Sequence, residues 1–445
     1  MKPLLVILGA GESGTGTAVL GMAQGFRVWV SDKGQIADRY KREIETCGAE
    51  WEEGQHSMEK VLAADVLVKS PGIPDTAVPV AAAIQKGIAI LSEIEFAARY
   101  TDALLIGITG TNGKTTTTSL IYHILKQAEW NVGLGGNIGQ SFARQVAHEQ
   151  HDAYVLELSS FQLDNCYDLR LDIAVLTNIT PDHLERYGSM AAYRASKMRI
   201  TQNQGPEQAF IYCADDAETS LALSEFKPKA KTYSFSPRNQ ARLGAWIADG
   251  CIQLNTDNKH TTQIDMKDFT IRGQHNQNNS MAAAIVAQLV DVRKDSIRES
   301  LSHFENIEHR LEPCGKFKGI EFINDSKATN INSAWYALES MDKPVIWIAG
   351  GVDKGNNYED LKPLVRQKVK MIICLGMENI KIHHAFQSDV DMIINTMSAK
   401  EAVHVASRLA SSGDAVLLSP ACASFDLFDN YEDRGRQFKE AVRNL

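Results

Sequence analysis

The stretch LLIGITGTNGKTTTTSLIYHIL, residues 104–125, reads as three pieces: a buried strand, a turn with two glycines, and a helix. The six residues before Gly110 are apolar or small enough to be covered on both faces, as strands of parallel sheets are. Gly110 and Gly113 supply the freedom of a tight turn, and a helix is expected from about Lys114 to about Lys126. Such a turn points backbone N–H groups at one spot, and the helix dipole adds positive potential there. Lys114 then offers a mobile cation to the β- and γ-phosphates of a nucleotide, and the hydroxyl of Thr115 or Thr116 a ligand to Mg²⁺. The strict P-loop pattern places glycine at position 108, where this chain has Ile108. The expected cradle is therefore a shorter run: Gly110, Thr111, Asn112, Gly113, Lys114, Thr115 and Thr116.

A metal-bound triphosphate needs further oxygen or nitrogen ligands. Glu157 closes the apolar run AYVLE, so its carboxylate is expected near the C-terminal end of a parallel strand, where ligands of open α/β sheets bind. His183, in TNITPDHLERYG, follows the next apolar run and is expected to reach the same edge.

The same βα rhythm extends in both directions. Strands are expected at residues 4–8, 27–31, 65–70 and 88–91, with helical stretches such as 36–46 between them. After residue 104 come strands at 153–159 and 173–179. Between about 206 and 272 the character changes, and runs such as KTYSF and AWIADGCIQL suggest antiparallel strands, followed by the helix NQNNSMAAAIVAQLV. Beyond about 307 the strands GIEFIND, VIWIAGG, MIICLG, DMIIN and AVLLSP restore the alternation. The expected fold is α/β in three domains. Residues 1–96 are Rossmann-like, 97–307 a P-loop α/β domain with an added small antiparallel sheet, and 308–445 again Rossmann-like.

Near the N-terminus, GAGESG (Gly9, Gly11, Gly14) matches G-x-G-x-x-G after a strand, and Asp32 ends the following strand. Alone this pattern reads as a dinucleotide site and an NAD-dependent oxidoreductase. Glu12, however, puts a carboxylate into the turn that should cradle a pyrophosphate. A nucleotide-sugar diphosphate is an equally good occupant, with SPGI (70–73) lining the same crevice. Thr15, Asp32, Ser70 and Gly72 are the residues expected to hold it.

Length and composition bound these readings. A chain of 445 residues exceeds one ordinary hydrophobic core, and 44% hydrophobic with 23% charged residues is a globular composition. A formal net charge of −9 argues against broad binding to nucleic acid or anionic membranes. The seven cysteines show no C-x-x-C or metal-ligand spacing, so they read as reduced thiols, with Cys422 a small buried residue. The run Leu4–Leu8 is too short for a signal or membrane segment. A cytoplasmic monomer without nucleic-acid partner or membrane insertion is expected.

Several stretches together resemble the ATP-dependent Mur ligases: TGTNGKTT, GGNIG (135–139), LELSSFQL, NITPDHLERY, YRASK ending at Lys197, and RGQHNQNN. FENIEHRLE, INDSKATN, AGGVDKG and SPACASFDLFDNYEDRGRQF continue the resemblance over nearly the whole chain. Relatives that add other amino acids, and folylpolyglutamate synthases, usually carry aspartate, then tyrosine or alanine, then histidine where this chain has Asp325-Ser326-Lys327-Ala328-Thr329. That segment is similar to the D-glutamate-adding branch. A ligase of the same family with another acceptor, and a nucleotide-hydrolysing switch, are the alternatives.

The resemblance implies a three-domain enzyme of peptidoglycan precursor synthesis. One domain takes UDP-N-acetylmuramoyl-L-alanine, one ATP with two Mg²⁺ ions, and one D-glutamate. It implies that Thr115, Glu157, His183 and Lys197 surround the metals, with Lys114, His183 and Lys197 catalytic. Lys197 is implied to be carbamylated by CO₂, which requires an amine deprotonated part of the time despite a reference pKa of about 10.4. Asn137 and Gln162 are implied to face substrate, and Asn276, Asn279, Arg310 and Asp325 to hold adenine, ribose or phosphate. Lys327, Thr329, Lys354, Ser419 and Phe425 are implied to hold D-glutamate. The family often places glycine directly before the lysine matching Lys354, where this chain has Asp353.

Overall fold

The computed structural model describes residues 2–445 except 239, 258–259, 271–272, 305–307 and 354. The chain packs into two compact units, and three sheets carry the architecture. One unit is Met1–Ile179, Tyr187–Asp268 and Asn278–Ser302; the other is Thr180–Arg186, Phe269–Gln277 and His303–Leu445.

The first sheet contains β1 (Leu4–Leu8), β2 (Arg27–Asp32), β3 (Glu50–Glu53), β4 (Val66–Lys69) and β5 (Ala89–Leu91), all parallel, in the order 3-2-1-4-5. Along β1 the side chains alternate between two cores. Leu5 and Ile7 join one cluster, and Leu4, Val6 and Leu8 another, so both faces are covered. The chain leaves β1 toward β2 on one side and returns to β4 on the other. The turns after β1 and β4 therefore flank the topological switch point. The strand β3, EWEE, was not legible in the sequence because its glutamates mask it as a loop. The expected helix at 36–46 forms over Asp38–Cys47.

The second sheet contains β6 (Leu104–Thr109), β7 (Val132–Gly136), β8 (Ala153–Glu157), β9 (Ile173–Leu176), β10 (Ala209–Cys213), β11 (Lys231–Ser236), β12 (Gly244–Ala248), β13 (Cys251–Asn255) and β14 (Thr262–Asp265). Its order is 14-13-12-11-10-9-6-8-7. The glycine-rich β7 was missed because glycine is depleted in strands. KTYSF, expected to be antiparallel, runs parallel to both β10 and β12 as β11; only β12–β14 are antiparallel. The antiparallel addition is thus an extension of the central sheet's edge. Within this unit, Leu5, Phe96, Phe142, Leu156 and Phe210 share one core, so the first two sheets are packed together.

The third sheet contains β15 (Glu312–Phe317), β16 (Ile320–Asn324), β17 (Val345–Ala349), β18 (Val369–Leu375), β19 (Ile393–Thr396) and β20 (Ala415–Leu418), in the order 15-16-20-17-18-19. Only β15, also unread in the sequence, is antiparallel to its neighbour. Trp347 and Leu417 enter the core on one face, Ile346, Ile348 and Val416 that on the other. Among the described residues, no helix is long and apolar enough to cross a membrane.

Candidate active site

In the first unit the turn after β6 lies between the ends of β8 and β9, its two sheet neighbours. Gly113 adopts φ +81°, a left-handed conformation that favours glycine, and begins the helix Lys114–Gln127 with no side-chain cap. The turn is braced from β9's end. Thr111 N donates to Asn178 O at 2.9 Å, Asn112 N to Asn178 Oδ1 at 3.0 Å, and Thr177 Oγ1 to Asn112 O at 2.6 Å. Asn279 stands over it from another helix, accepting from Thr117 Oγ1 at 3.1 Å. An added Cβ on Gly113 would come 2.6 Å from Asn279 Oδ1, so it would have to displace the Asn279 side chain.

Lys114 curls back, donating from Nζ to Gly110 O at 2.9 Å and Thr111 O at 2.8 Å. Lys197, on the helix Met190–Met198 and only 1% exposed, donates to the same Gly110 O at 2.7 Å; its Nζ lies 4.5 Å from the Tyr193 ring centroid. Two lysine side chains thus converge on one carbonyl of the turn.

Glu157 ends β8, paired in register with Ile108 of β6, and is 1% exposed. Its Oε1 accepts from Asn137 Nδ2 at 2.8 Å, and its carbonyl from Asn137 N at 2.8 Å. The tip of the loop after β7 is therefore tied to the expected metal carboxylate. Thr115 and Thr116 are buried in the helix's first turn. Gln162 is also buried, and its Oε1 accepts from Ser159 N and Ser159 Oγ, both at 2.9 Å, in a capping box. Its amide oxygen is thereby given a local structural role that sequence reading did not assign.

At the first sheet's switch point, Asp32 Oδ2 accepts from Ala10 N at 2.7 Å and Oδ1 from Gly34 N at 2.8 Å. Thr15 is fully buried and donates to Ala10 O at 3.3 Å, which shapes the turn from inside. Gly14 allows the closest approach here, since a Cβ would strike the Gly9 carbonyl. Ser70 N donates to Leu8 O at 2.8 Å, and Gly72 is exposed beyond it. Lys69, unremarked in the sequence, is 2% exposed and donates to Ile73 O at 2.9 Å, with Asp75 at 3.1 Å.

In the second unit, β16, β20 and β17 are adjacent and parallel, so the segments after Asn324, Leu418 and Ala349 emerge side by side. Asp325 and Ser419 meet across the first pair: Ser419 Oγ donates to Asp325 Oδ2 at 2.8 Å. Burial pushes the Asp325 carboxyl up to about 7, against the opposing pull of that bond and the Arg310 charge. His275 is pushed down to about 4, first by burial and then by the same guanidinium. Asn276, in the first turn of the helix Gln274–Leu289, donates from its N–H to Gly273 O at 3.1 Å.

Lys327 lies with Nζ 5.2 Å from the Tyr431 ring centroid, Thr329 is half-buried, and Phe425 is 73% exposed. Lys354 lies outside the described residues. His183 has φ +54° and belongs by its packing to this second unit; its Nδ1 is 3.6 Å from Glu185 Oε1 and its Nε2 3.8 Å from Asp182 Oδ2.

Three family models cover the chain in order: "Mur ligase MurD-like, N-terminal domain" over residues 4–92, "Mur ligase middle domain" over 108–287, and "Mur ligase, glutamate ligase domain" over 309–422. A UDP-N-acetylmuramoylalanine--D-glutamate ligase of Christiangramia forsetii is 52% identical over 446 residues, covering 100% of both chains. One from Porphyromonas gingivalis is 51% identical over 449 residues, covering 100% of this chain and 99% of its own. The chain belongs to the Mur ligase family. Two solved Mur-type structures share the fold over 100% of both chains: a pseudomurein peptide ligase type C from Methanothermus fervidus (TM-score 0.64, 19% identical) and the UDP-N-acetylmuramate-alanine ligase MurC from Thermotoga maritima (TM-score 0.63, 16% identical).

The structure of this Mur ligase adds a residue that sequence reading passed over. Arg434 is fully buried, with Nη2 donating to Ser326 O at 2.9 Å and Nη1 to Cys422 O at 3.2 Å. It ties the segment holding Lys327 and Thr329 to the one holding Ser419 and Phe425. Burial pushes its guanidinium down to about 10. The signal in the sequence was an arginine inside an otherwise amphipathic C-terminal helix, followed by Gly435, where a Cβ would strike the His309 ring.

Proposed function

We propose that this Mur ligase joins D-glutamate to UDP-N-acetylmuramoyl-L-alanine, using ATP and releasing ADP and phosphate. The relatives' names support the substrates, and one feature of the structure supports the chemistry: Lys114 and Lys197 both donate to the Gly110 carbonyl at the open end of a helix. The alanyl carboxylate attacks the γ-phosphate, and the P–O bond to ADP breaks. The D-glutamate amine then attacks the acyl carbon, losing a proton, and phosphate leaves as the amide forms.

Two like charges 4 Å apart repel by about 4 kcal/mol at an effective dielectric of 20, and several such pairs meet when a carboxylate approaches a triphosphate. The amides of the Gly110–Gly113 turn, Lys114 and the helix N-terminus offset that repulsion. Glu157 and Thr115 offer the hard oxygen ligands that Mg²⁺ prefers, and a bound ion would neutralise phosphate charge. Lys197 is buried with its Nζ on the Gly110 carbonyl, and a carbamate formed there by addition of its amine to CO₂ with loss of a proton would offer a further oxygen ligand.

Asn279 is assigned to the nucleotide, together with Asn276, Arg310 and Asp325. D-glutamate is assigned to Lys327, Thr329, Ser419 and Phe425 with Lys354, and the UDP-sugar to the switch-point crevice formed by Asp32, Ser70 and Gly72. Domain boundaries near residues 96 and 308 fit these assignments. The substrates, ATP and a UDP-sugar, place the reaction in the cytoplasm.

Phosphate release with ATP and UDP-N-acetylmuramoyl-L-alanine, measured while amino acids are added singly, tests the reading. D-glutamate alone should trigger release and yield an amide product. Equal release without any amino acid would make the protein a nucleotide-hydrolysing switch; release with a different amino acid would move it to another branch.

A further inference from the structure

Glu12 is the residue that the phosphate-turn reading of GAGESG leaves unexplained. It is the first residue of the helix Glu12–Ala23, where an acidic side chain would face any diphosphate bound at the turn. The structure shows it turned aside. Its Oε1 accepts from Ser141 N at 2.9 Å and pairs with Arg144 Nη1, and Tyr40 OH lies 3.3 Å from Oε2. Arg144 is held in turn by both carboxylate oxygens of Glu43, at 2.5 and 3.0 Å. Burial tends to raise the Glu12 carboxyl, but the Ser141 N–H and Arg144 outweigh it and hold the group below its ordinary value.

Ser141 is gripped a second time from the first domain. Its hydroxyl donates to Glu93 Oε1, which also accepts from Ala143 N at 3.1 Å. Ser141 closes the loop that follows β7, and Asn137 sits at the tip of that loop, bonded through side chain and backbone to Glu157. Gly135 and Gln140 pair across the loop's neck. The loop thus has two anchors: Glu157 at its tip, and two first-domain carboxylates at its exit.

We infer that Glu12 is a positioning residue: through Ser141 it sets the loop that places Asn137 on the Glu157 carboxylate, and so couples the sugar-diphosphate turn to the ion-binding edge of the central sheet. The inference rests on the proposed role of Glu157 as a Mg²⁺ ligand. Residues that orient metal ligands typically change metal affinity 10- to 100-fold when removed, and Glu12 acts one step further out.

The test is a double-mutant cycle on the full-length enzyme, reading kcat, the Mg²⁺ half-saturation and the KM for the UDP-substrate, and, without turnover, the affinity for Mn²⁺ by electron paramagnetic resonance. Circular dichroism and thermal midpoint serve as folding controls. Asn137→Ala should raise the Mg²⁺ half-saturation about tenfold. Glu12→Ala should raise it several-fold and lower kcat, with the UDP-substrate KM within about twofold of the parent. The double variant should be no worse than Asn137→Ala alone. Glu12→Gln, which keeps an acceptor for Ser141 N, should recover part of the loss and carries the test if the alanine variant does not fold.

An additive double variant, or a Glu12 effect confined to the UDP-substrate KM, overturns the inference while leaving the site assignment intact. An Asn137→Ala enzyme with parental Mg²⁺ response overturns the assignment of that loop, and the inference with it.

Discussion

Two glycine turns in the first unit begin alike and end differently. Each follows a buried central strand of a parallel sheet, β1 or β6, and each opens a helix whose N-cap is glycine with no side-chain cap. In the turn after β6 the residue following that glycine is Lys114, and both it and Lys197 donate to the Gly110 carbonyl. After β1 the corresponding residue is Glu12, drawn away by Arg144 and Ser141. The backbone supplies a generic anion cradle in both places. On the proposed reading, the first side chain of the helix separates the turn assigned to phosphoryl transfer from the one assigned to binding alone.

The comparison breaks most visibly at Lys114. Lys114→Ala should lower turnover by roughly 100-fold or more, as expected for loss of preorganised charge stabilisation. Calorimetric binding of the UDP-substrate, assigned to the other turn, should stay unchanged. A fully active variant would remove Lys114 from the chemistry.

A smaller and reversible loss is expected at Lys197. Lys197→Ala should be impaired by about tenfold or more, consistent with losing a preorganised group at the site. A short added carboxylic acid, standing where the carbamate would, should restore part of the rate. If neither the substitution nor bicarbonate-free buffer alters the rate, the carbamate is wrong.

The smallest effect is sought where the first turn meets the central domain. Glu93 is 4% exposed, and burial pushes its carboxyl up to about 7, against its bonds from Ser141 and Ala143. Its folded value lies above its unfolded one, so its contribution to stability is complete below about 4.5 and is lost as pH rises through about 7. Glu93→Gln should flatten the fall in thermal midpoint between about pH 4.5 and pH 7. An unchanged slope would show that Glu93 does not titrate there.

Much of this was readable along the chain. The strands β1, β2, β4, β6, β8 and β9, and the parallel ones of the third sheet, are apolar runs flanked by turn residues, and such runs report their own burial. Runs whose local composition contradicts their place failed: EWEE, VGLGG and EPCGKF pair as strands because neighbours hold them, against intrinsic propensity. KTYSF carried a strand signal but no direction, since its parallel pairing depends on where the chain re-enters the sheet.

Sites followed the same division. The strand, turn and helix start at Gly110 to Thr116 could be read because they form a contiguous segment whose geometry is local. The joining of Asp325 to Ser419, of Asn137 to Glu157 and of Glu12 to Ser141 spans 94, 20 and 129 residues respectively. Nothing in a residue type reveals such a partner.

The sequence by itself determined the apolar parallel strands and where a glycine turn opens a helix after β6, because those depend on periodicity and turn chemistry within a few residues. Only the tertiary structure decided that the Glu12 charge is directed out of its turn, that Arg434 is buried, and that Lys114 and Lys197 share one carbonyl. Those outcomes depend on which strand ends the sheet order brings together, and sheet order is set by packing over the whole domain.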